Sequence, residues 1–265
     1  MTFTIIATTF VALVHRRLSS LGQRGRRTAA VCGAGAIMLG CAAPQPDASM
    51  TQPNQEPNML TAAERSAGWR LLFDGKSLAG WRAYQSDSMP QGWRVVDGLI
   101  VKTVETQDIV SRDQFGDFEL MFEWKLSTGG NAGVFYRATE EYERVYWSAP
   151  EYQLLDDPNA PDGRDRLRSA GAAYGLYAAA SGIVKPAGEW NTARIIANGA
   201  HVEHWLNGQK LLEYELWSPD WVAKVKGGKF NDWPNYGRAK RGHIALQGDH
   251  SGDLEMRNIR IRELR

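Results

Sequence analysis

Cysteine is nearly absent from this chain of 265 residues, which contains only Cys32 and Cys41. Both lie near the start of the chain, and no cysteine follows residue 41. The residues after position 41 therefore hold no disulfide among themselves, no thiolate nucleophile and no cysteine metal site. Any chemistry in that part of the chain must use residue types other than cysteine.

An excess of positive charge is also lacking after the first forty residues. That opening segment holds five of the 31 basic residues and none of the 30 acidic ones, which leaves 26 basic against 30 acidic residues in the remainder. The slight acidic excess argues against nucleic acid as a partner, because phosphate binding requires a basic face.

No apolar run reaches the roughly twenty residues that a transmembrane helix needs. The arginines of the opening segment are followed by an apolar run, residues 28–39, and then by a glycine and Cys41. This order is typical of a bacterial lipoprotein signal, with Met38 in place of the usual leucine of the lipobox. We therefore expect a signal peptide over residues 1–40, a lipid on Cys41, and a location in the cell envelope where only this anchor contacts the membrane.

Residues 41–60 mix four prolines with glutamine, asparagine, serine and aspartate. This composition predicts a disordered polar tether. The folded domain is expected over residues 61–265, beginning with a short helix whose capping box is formed by Thr61 and Glu64. Roughly two hundred residues are ample for one buried core.

The predicted domain shows many short strands and little helical periodicity. The clearest strand covers residues 117–126, where the residues from Phe118 onward alternate strictly and place Glu119, Glu123 and Lys125 on the non-core face. Glycine and asparagine turns separate the strands. This pattern predicts an all-β sandwich or jelly roll.

The alternation of the last strand slips at Asn258, which predicts a bulge there. A long segment before it, residues 218–241, is expected to be a loop that carries aromatic residues such as Trp221 and Trp233.

The segment Glu151–Asp157 carries an unusual pair of polar side chains. Successive side chains of a strand point to opposite faces, so Glu151 and Gln153 share one face. An exposed sheet face is one explanation. The sharper one is a polar, ligand-binding face with Asp156 and Asp157 at its mouth.

A series of motifs then follows in a fixed order: WRLLFDG at 69, GW at 80, DFEL at 117, GNAGVFYR at 130, EYQLLD at 151, EWN at 189, HWLNG at 204, GHIALQ at 242 and RNI at 257. Together they resemble the 3-keto-disaccharide hydrolase family, long catalogued as a domain of unknown function. The resemblance covers about residues 66–265. Two departures lie at the rim of the implied site, where Gly248 and Asp249 precede His250 and Gly175 replaces a frequent aspartate.

The resemblance implies a concanavalin-like jelly-roll sandwich of two antiparallel sheets with few or no helices. It also implies carbohydrate as the substrate and cleavage of glycosides that are already oxidised at C3. A ketone at C3 acidifies the C2 proton, so a base can remove it and the glycosidic oxygen can leave by elimination, followed by hydration. A two-carboxylate glycosidase using Glu151 and Glu123 is the alternative chemistry. A lectin-like envelope module without catalysis is the alternative function.

Candidate catalytic residues are Glu151 and His250, with the roles of acid and base left open. Expected substrate-binding residues carry amides, charges or aromatic rings suited to sugars: Glu123, Lys125, Asn131, Arg137, Trp147, Gln153, Asp156, His204 and Gln247. Four of them have structural alternatives. Glu123 and Lys125 could form a solvated ion pair, Arg137 could pair with Glu151, and His204 could be a satisfied core histidine.

A divalent cation also stays open at this point, as does the oligomeric state. Two sets of side chains offer oxygen or nitrogen ligands: Glu123, Glu151, Asp156 and His250 in the first, and Asp156, Asp157, Asn159 and Asp162 in the second.

Overall fold

The computed structural model describes residues 56–264. Its helices are α1 (Ala62–Ser66) and α2 (Pro219–Gly227). Its strands are β1 (Arg70–Leu71), β2 (Trp81–Ala83), β3 (Trp93–Val96), β4 (Leu99–Lys102), β5 (Ile109–Phe115), β6 (Phe118–Leu126), β7 (Asn131–Ala138), β8 (Glu151–Leu155), β9 (Asn191–Asn198), β10 (His201–Leu206), β11 (Gln209–Glu215), β12 (Gly242–Leu246) and β13 (Leu254–Glu263). The predicted signal peptide, most of the tether and Cys41 lie outside these residues. Among residues 56–264, no helix has the length and apolar character to cross a bilayer.

The strands form two antiparallel sheets, which confirms the predicted jelly-roll sandwich. The larger sheet has the order β11-β10-β9-β6-β13-β4-β3, with β1 paired to β13, and the smaller sheet has the order β2-β5-β12-β7-β8. Strands that are distant in sequence are neighbours in both sheets, as when β12 lies between β5 and β7. Long connections therefore bring side chains from separate parts of the chain onto one sheet face.

The core lies between the two sheets. Strand β6 supplies the clearest example, because Phe118, Leu120, Phe122 and Trp124 are all at most 1% exposed. Burying each of these side chains contributes about 1.5–3 kcal/mol relative to leaving it in water. The predicted alternation of β6 is confirmed, and its remaining side chains point to the outer face of the larger sheet.

The outer face of the smaller sheet carries a second, smaller apolar cluster. Val110 of β5, Phe135 of β7 and Ala245 of β12 meet Val145 and Ala149, which lie in the connection between β7 and β8. The connection therefore folds over one end of this face. The other end of the face is polar.

The folded region begins before residue 61, contrary to the boundary that the tether predicted. Asn58 is buried, its backbone N–H donates to Oδ1 of Asn258, and its own Oδ1 accepts from the Asn258 N–H. Asn258 has a φ of 55° and lies where the pairing of β13 with β6 shifts register, which confirms the predicted bulge. The Thr61–Glu64 capping box is confirmed as well.

Two long segments surround the polar end of the smaller sheet. The residues after β8 return along its free edge, where Tyr152 and Ala173 form a bridge. Residues 218–241 were expected to be a loop, but their first part is α2, capped by Ser218. The prediction of few helices holds, since α1 has 5 residues and α2 has 9.

Candidate active site

Strand β8 presents Glu151 and Gln153 on the outer face of the smaller sheet, because Tyr152 and Leu154 point into the core. The backbone of β8 is bonded on both sides. Its residues pair with β7 on one edge. On the other edge, Gly171 N–H donates to the Gln153 carbonyl and Tyr174 N–H donates to the Glu151 carbonyl. The two polar side chains therefore project from a fixed strand.

A row of polar side chains crosses this face. Gln153 is paired with Gly133 of β7, and the backbone N–H of Gln247 donates to the Gly133 carbonyl. Asp108 precedes β5, and its Oδ1 accepts from the N–H of Gly248 over 2.7 Å. Segments that are far apart in sequence thus place three polar side chains on one face of the smaller sheet. Gln153 lies in β8, Gln247 directly follows β12, and Asp108 directly precedes β5.

Gly133 makes room for the carboxyl group of Glu151. A Cβ atom at residue 133 would lie 2.5 Å from Oε1 of Glu151 and 2.9 Å from its Cδ. The carboxyl group therefore lies over the β7 backbone rather than pointing away from the sheet. This is a physical reason for glycine in the GNAG motif.

The amide of Gln153 lies between Glu151, Asn131 and the carbonyl of Ala132. With Nε2 toward Glu151, it donates to Oε1 over 2.8 Å and to the Ala132 carbonyl over 3.2 Å, and the carboxyl group accepts in either protonation state. With Nε2 toward Asn131, it donates to Oδ1 of Asn131 over 3.1 Å, and its own oxygen faces both Oε1 of Glu151 and the Ala132 carbonyl. Only this second arrangement requires a protonated Glu151.

The electrostatic environment of Glu151 favours the protonated state. Glu151 is only 5% exposed. Burial raises its pKa to about 8; the charge of Lys229 opposes the shift, and the nearby charges of Asp108 and Asp249 add to it. Burial penalises the charged form of an acid, so Glu151 holds its proton at neutral pH.

Lys229 and Tyr174 form one wall beside Glu151. The Lys229 ammonium lies 3.9 Å from the centre of the Tyr174 ring, and the Tyr174 hydroxyl donates to Asp162 over 3.1 Å. Such a cation–π contact contributes about 0.5–1 kcal/mol at an exposed site. This wall brings a positive charge near the buried carboxyl group.

Asp108 is the second carboxyl group of the site. Burial raises its pKa to about 7, the Gly248 N–H opposes the shift, and the charge of Asp249 increases it. Asp108, Arg144 and Asp249 line a cavity with a volume of about 360 Å³. In the described part of the chain, Oδ1 of Asp249 and Oε1 of Gln247 are buried without a hydrogen-bond partner. Asp249 lines the cavity, so its unpartnered oxygen is a ready acceptor for a ligand hydroxyl group.

The rim of the site contains aromatic residues and a histidine. Trp147 stacks on Trp233 with ring centres 5.0 Å apart, and its neighbour Tyr146 contacts it edge-on. The side chain of His250 is 42% exposed, and its Nδ1 lies 3.7 Å from Oδ1 of Asp249. The predicted contacts of Trp147 and His250 with substrate stay a prediction.

The structure moves Glu123 and Lys125 away from this site. Both project from β6 on the outer face of the larger sheet, while Glu151 projects from the outer face of the smaller one. Glu123 accepts from Arg257 Nε over 2.7 Å, and Lys125 pairs with Glu255 over 2.7 Å. The prediction that Glu123 and Lys125 bind substrate beside Glu151 was wrong, because β6 and β8 belong to different sheets.

Arg137 has a structural role, in place of both the predicted contact with substrate and the alternative pairing with Glu151. It has a φ of 53°, its side chain is buried, and it donates to Asp117 and to the carbonyls of Gly116 and Gly199. Arg137 therefore ties together the start of β6 and the turn between β9 and β10.

His204 lies in the core, as its structural alternative proposed. Its Nε2 lies 2.9 Å from the hydroxyl of Tyr136, and its Nδ1 lies 2.9 Å from the carbonyl of Gly171. Burial lowers its pKa to about 4, so it is neutral at physiological pH. A fully buried imidazole with both nitrogens bonded cannot reach a sugar in this structure.

Asp156 supports the loop after β8. Its Oδ2 accepts from the N–H of Gly129 and from Nδ2 of Asn159, both over 2.8 Å. Its other oxygen is buried without a hydrogen-bond partner among the described residues. Asp156 therefore connects the turn before β7 to the loop after β8. A contact between Asp156 and substrate stays a prediction.

Neither predicted set of cation ligands is brought together. Within residues 56–264, the group of three acidic or histidine side chains with ligand atoms within 4.8 Å is His201, Glu203 and Glu213. These residues lie on β10 and β11 of the larger sheet, and Lys210 lies 3.6 Å from Glu203. No catalytic step is therefore derived through a metal.

Sequence reasoning missed Asp108, Lys229 and Tyr174. Asp108 precedes a short apolar strand, and its partners Gly248 and Asp249 are about 140 residues away. Lys229 lies in a segment that was noted only for its aromatic residues. The GNAG motif gave the one local signal, because its second glycine marks a close approach between a side chain and the backbone.

A jelly roll with two buried carboxyl groups, amides and aromatic residues on one sheet face defines a carbohydrate-active enzyme. The family model that describes a 3-keto-alpha-glucoside-1,2-lyase-like domain matches residues 68–262. The chain belongs to this family.

Named relatives agree with this assignment. A 3-keto-disaccharide hydrolase from Bacteroides thetaiotaomicron is 34% identical, over 89% of this chain and 97% of the relative. A crystal structure from Parabacteroides distasonis, described as a candidate glycosyl hydrolase, is 34% identical with a TM-score of 0.75, over 79% of this chain and 100% of that one. A second such protein from the same organism is 28% identical with a TM-score of 0.61, over 74% and 99%. The chain is therefore a carbohydrate hydrolase.

Proposed function

We propose that the enzyme cleaves glycosides whose sugar carries a ketone at C3, by elimination followed by hydration. The observation that carries this proposal is the pair of buried carboxyl groups, Glu151 and Asp108, whose pKa values are raised to about 8 and about 7. Acid–base catalysis at neutral pH needs groups that titrate in this range. The name of the Bacteroides relative supports the choice of substrate.

Two proton transfers complete the elimination. A base removes the proton from C2, and the electron pair left behind is delocalised onto the C3 oxygen as an enolate. The enolate expels the oxygen substituent of C1, which takes a proton from an acid and leaves a C1–C2 double bond conjugated with the ketone. Water then adds at C1 and a proton returns to C2, so the sum of the steps is hydrolysis.

The two carboxyl groups take different roles. Glu151 has the higher pKa, so it is the acid that protonates the leaving group. Asp108 ionises more readily and is the base for the C2 proton. Between pH 7 and 8 the two carboxyl groups together carry about one proton.

Other side chains bind and polarise the sugar. The positive charge of Lys229 favours negative charge on the C3 oxygen as it develops. The unpartnered amide oxygen of Gln247 accepts from a sugar hydroxyl, and Trp147 and Trp233 offer apolar ring faces at the rim. His250, with Nδ1 3.7 Å from Oδ1 of Asp249, lies at the rim within reach of a bound sugar.

The substrate class is tested with a 3-keto-disaccharide and its unoxidised parent in deuterated water. We expect cleavage of the keto compound alone, with deuterium at C2 of the released sugar. Efficient hydrolysis of the parent without exchange at C2 would reject the elimination and favour an ordinary glycosidase pair of Glu151 and Asp108.

Substituting each carboxyl group separates their roles. Asp108→Asn should lose both C2 exchange and cleavage, whereas Glu151→Gln should lose cleavage but keep slow exchange. Each substitution should lower kcat by about 10²–10⁴-fold, the usual contribution of acid–base catalysis. Glu213→Gln is the matched control, because Glu213 is 54% exposed on the larger sheet. Near-normal turnover in a folded Glu151→Gln protein would remove Glu151 from the mechanism.

A further inference from the structure

A second cavity, of about 540 Å³, lies between α2 and the segment that follows it. Its aromatic wall contains Trp217, Trp221 and Trp233, of which Trp233 also belongs to the rim of the candidate active site. The volume is within the range of small-molecule sites, about 300–1,000 Å³. The proposed catalytic steps assign no role to this cavity.

Trp217 is held in the cavity wall by an unusual backbone. Its φ is 64°, in the left-handed region that a bulky side chain rarely adopts. Its indole N–H donates to the carbonyl of Gly237 over 2.8 Å, and the ammonium of Lys240 lies 5.8 Å from its ring centre. Strain at a well-fixed aromatic residue is a recurring mark of a binding site.

Three cations line the same cavity, and no carboxylate does. Lys226, Arg238 and Lys240 are exposed, and none of them makes an ion pair within residues 56–264. Elsewhere in this part of the chain, cations near the surface often have a carboxylate partner, as Lys224 has Asp220. Several unpaired positive charges around an apolar floor attract and bind an anion.

We propose that this cavity binds a sugar ring that carries a negative charge, either a carboxylate or a sulfate. The ring packs on the indole faces, and the anionic group is held by Lys226, Arg238 and Lys240. A neutral sugar would leave the three cations without a partner. This inference goes beyond the proposed function and does not depend on it, because none of the three cations takes part in the catalytic steps.

Tryptophan fluorescence titrations with D-galacturonate, galactose 6-sulfate and galactose test the proposal on the whole protein. At least one of the two anionic sugars should bind tenfold or more tightly than galactose, with an affinity that falls as salt is added. Comparing the carboxylate with the sulfate shows which anion the site prefers.

The Arg238→Gln/Lys240→Gln double variant should weaken binding of the anionic sugar at least tenfold, and Lys76→Gln, at an exposed turn, should leave it unchanged. Both variants should keep wild-type thermal stability and wild-type activity on the 3-keto-disaccharide, which separates a failure here from a failure of the proposed catalysis. Equal binding of all three sugars would overturn the proposal. So would anionic-sugar binding that survives in the double variant.

Discussion

The chemistry of the site depends on one buried proton. Glu151 has few solvent contacts, and the amide of Gln153 lies against its carboxyl group. A folded-state pKa near 8, against about 4.3 for an unperturbed glutamate, means that the folded protein binds one proton more than the unfolded chain between these values. The same feature that supplies a proton donor therefore lowers stability at high pH.

This linkage gives a prediction for the free energy of unfolding. A group whose pKa is raised on folding gives stability that is complete below its unfolded pKa and is lost as the pH rises through its folded pKa. We expect the wild type to lose stability between pH 5 and pH 8 relative to Glu151→Gln, whose amide does not titrate. Each unit of pKa shift corresponds to about 1.4 kcal/mol, so thermal denaturation at several pH values would detect the difference.

Parallel stability curves for the two proteins across this range would show that Glu151 is ionised in the folded state. Glu213→Gln serves as the control here too, because an exposed glutamate should give a curve parallel to the wild type.

The close contact over Gly133 gives a second prediction at the level of single residues. Gly133→Ala places a Cβ 2.5 Å from Oε1 of Glu151, so the carboxyl group must move. Because a displacement of about 1 Å from the productive geometry costs on the order of 10²-fold in rate, kcat should fall at least tenfold. Gly227→Ala is the control, since a Cβ there meets nothing within 4 Å. Equal activity in the two variants would contradict the positioning role of Gly133.

At the scale of elements, the site is built on an edge strand that the chain itself covers. Strand β8 ends the smaller sheet, and the segment around Ala173 returns along its free edge. His204 fixes that segment from inside the core, because its ring bonds both the carbonyl of Gly171 and the hydroxyl of Tyr136. His204 therefore affects the site only by fixing the position of β8 and of the segment around Ala173 that lies along it.

Removing that imidazole should destabilise the protein without changing substrate recognition. His204→Ala leaves a cavity and takes the donor from a buried carbonyl, which together cost about 2–4 kcal/mol. Thermal or urea unfolding measures the loss, and KM at a temperature where the variant is folded should equal the wild-type value. His201→Ala, at a partly exposed position at the start of β10, should change stability by about 1 kcal/mol or less. A raised KM in folded His204→Ala would instead favour the predicted contact with substrate.

The elements that the sequence predicts best are those with local signals. The alternation of β6, the capping box at Thr61 and the bulge at Asn258 each depend on a few neighbouring residues, and each is confirmed. The polar face of β8 follows from the same two-residue period, which is why Glu151 and Gln153 could be placed together.

The errors concern which strands are neighbours. A two-residue period assigns Glu123 to a face of β6 but cannot say to which sheet β6 belongs. Asp108 accepts from Gly248, which lies 140 residues further along the chain. Lys229 acts on Glu151 from a position about seventy residues after β8. No local sequence pattern specifies such contacts. The positioning of these charges is a property of the sandwich topology.

At the scale of the whole molecule, the two outer faces have different chemistry. The larger sheet is covered by paired charges, as where Arg257 and Asn258 both donate to Glu123. The smaller sheet instead carries raised-pKa carboxyl groups and polar oxygens without partners. Under the proposed mechanism, substrate approaches from the side of the smaller sheet, and any attachment of the chain to a membrane must leave that side accessible.

The last prediction concerns that attachment. After the first forty residues the chain has 26 basic and 30 acidic residues, so electrostatic attraction to an anionic bilayer is weak. We propose that membrane binding depends on a lipid at Cys41, followed by the proline-rich segment as a spacer. In a bacterial host, the wild type should stay in the membrane fraction through a high-salt wash and be released by detergent, while Cys41→Ala should be soluble with unchanged activity. Cys32→Ala, within the predicted signal, should behave as the wild type does. A soluble wild-type protein with no lipid in its mass spectrum would show that residues 1–40 are not a lipoprotein signal.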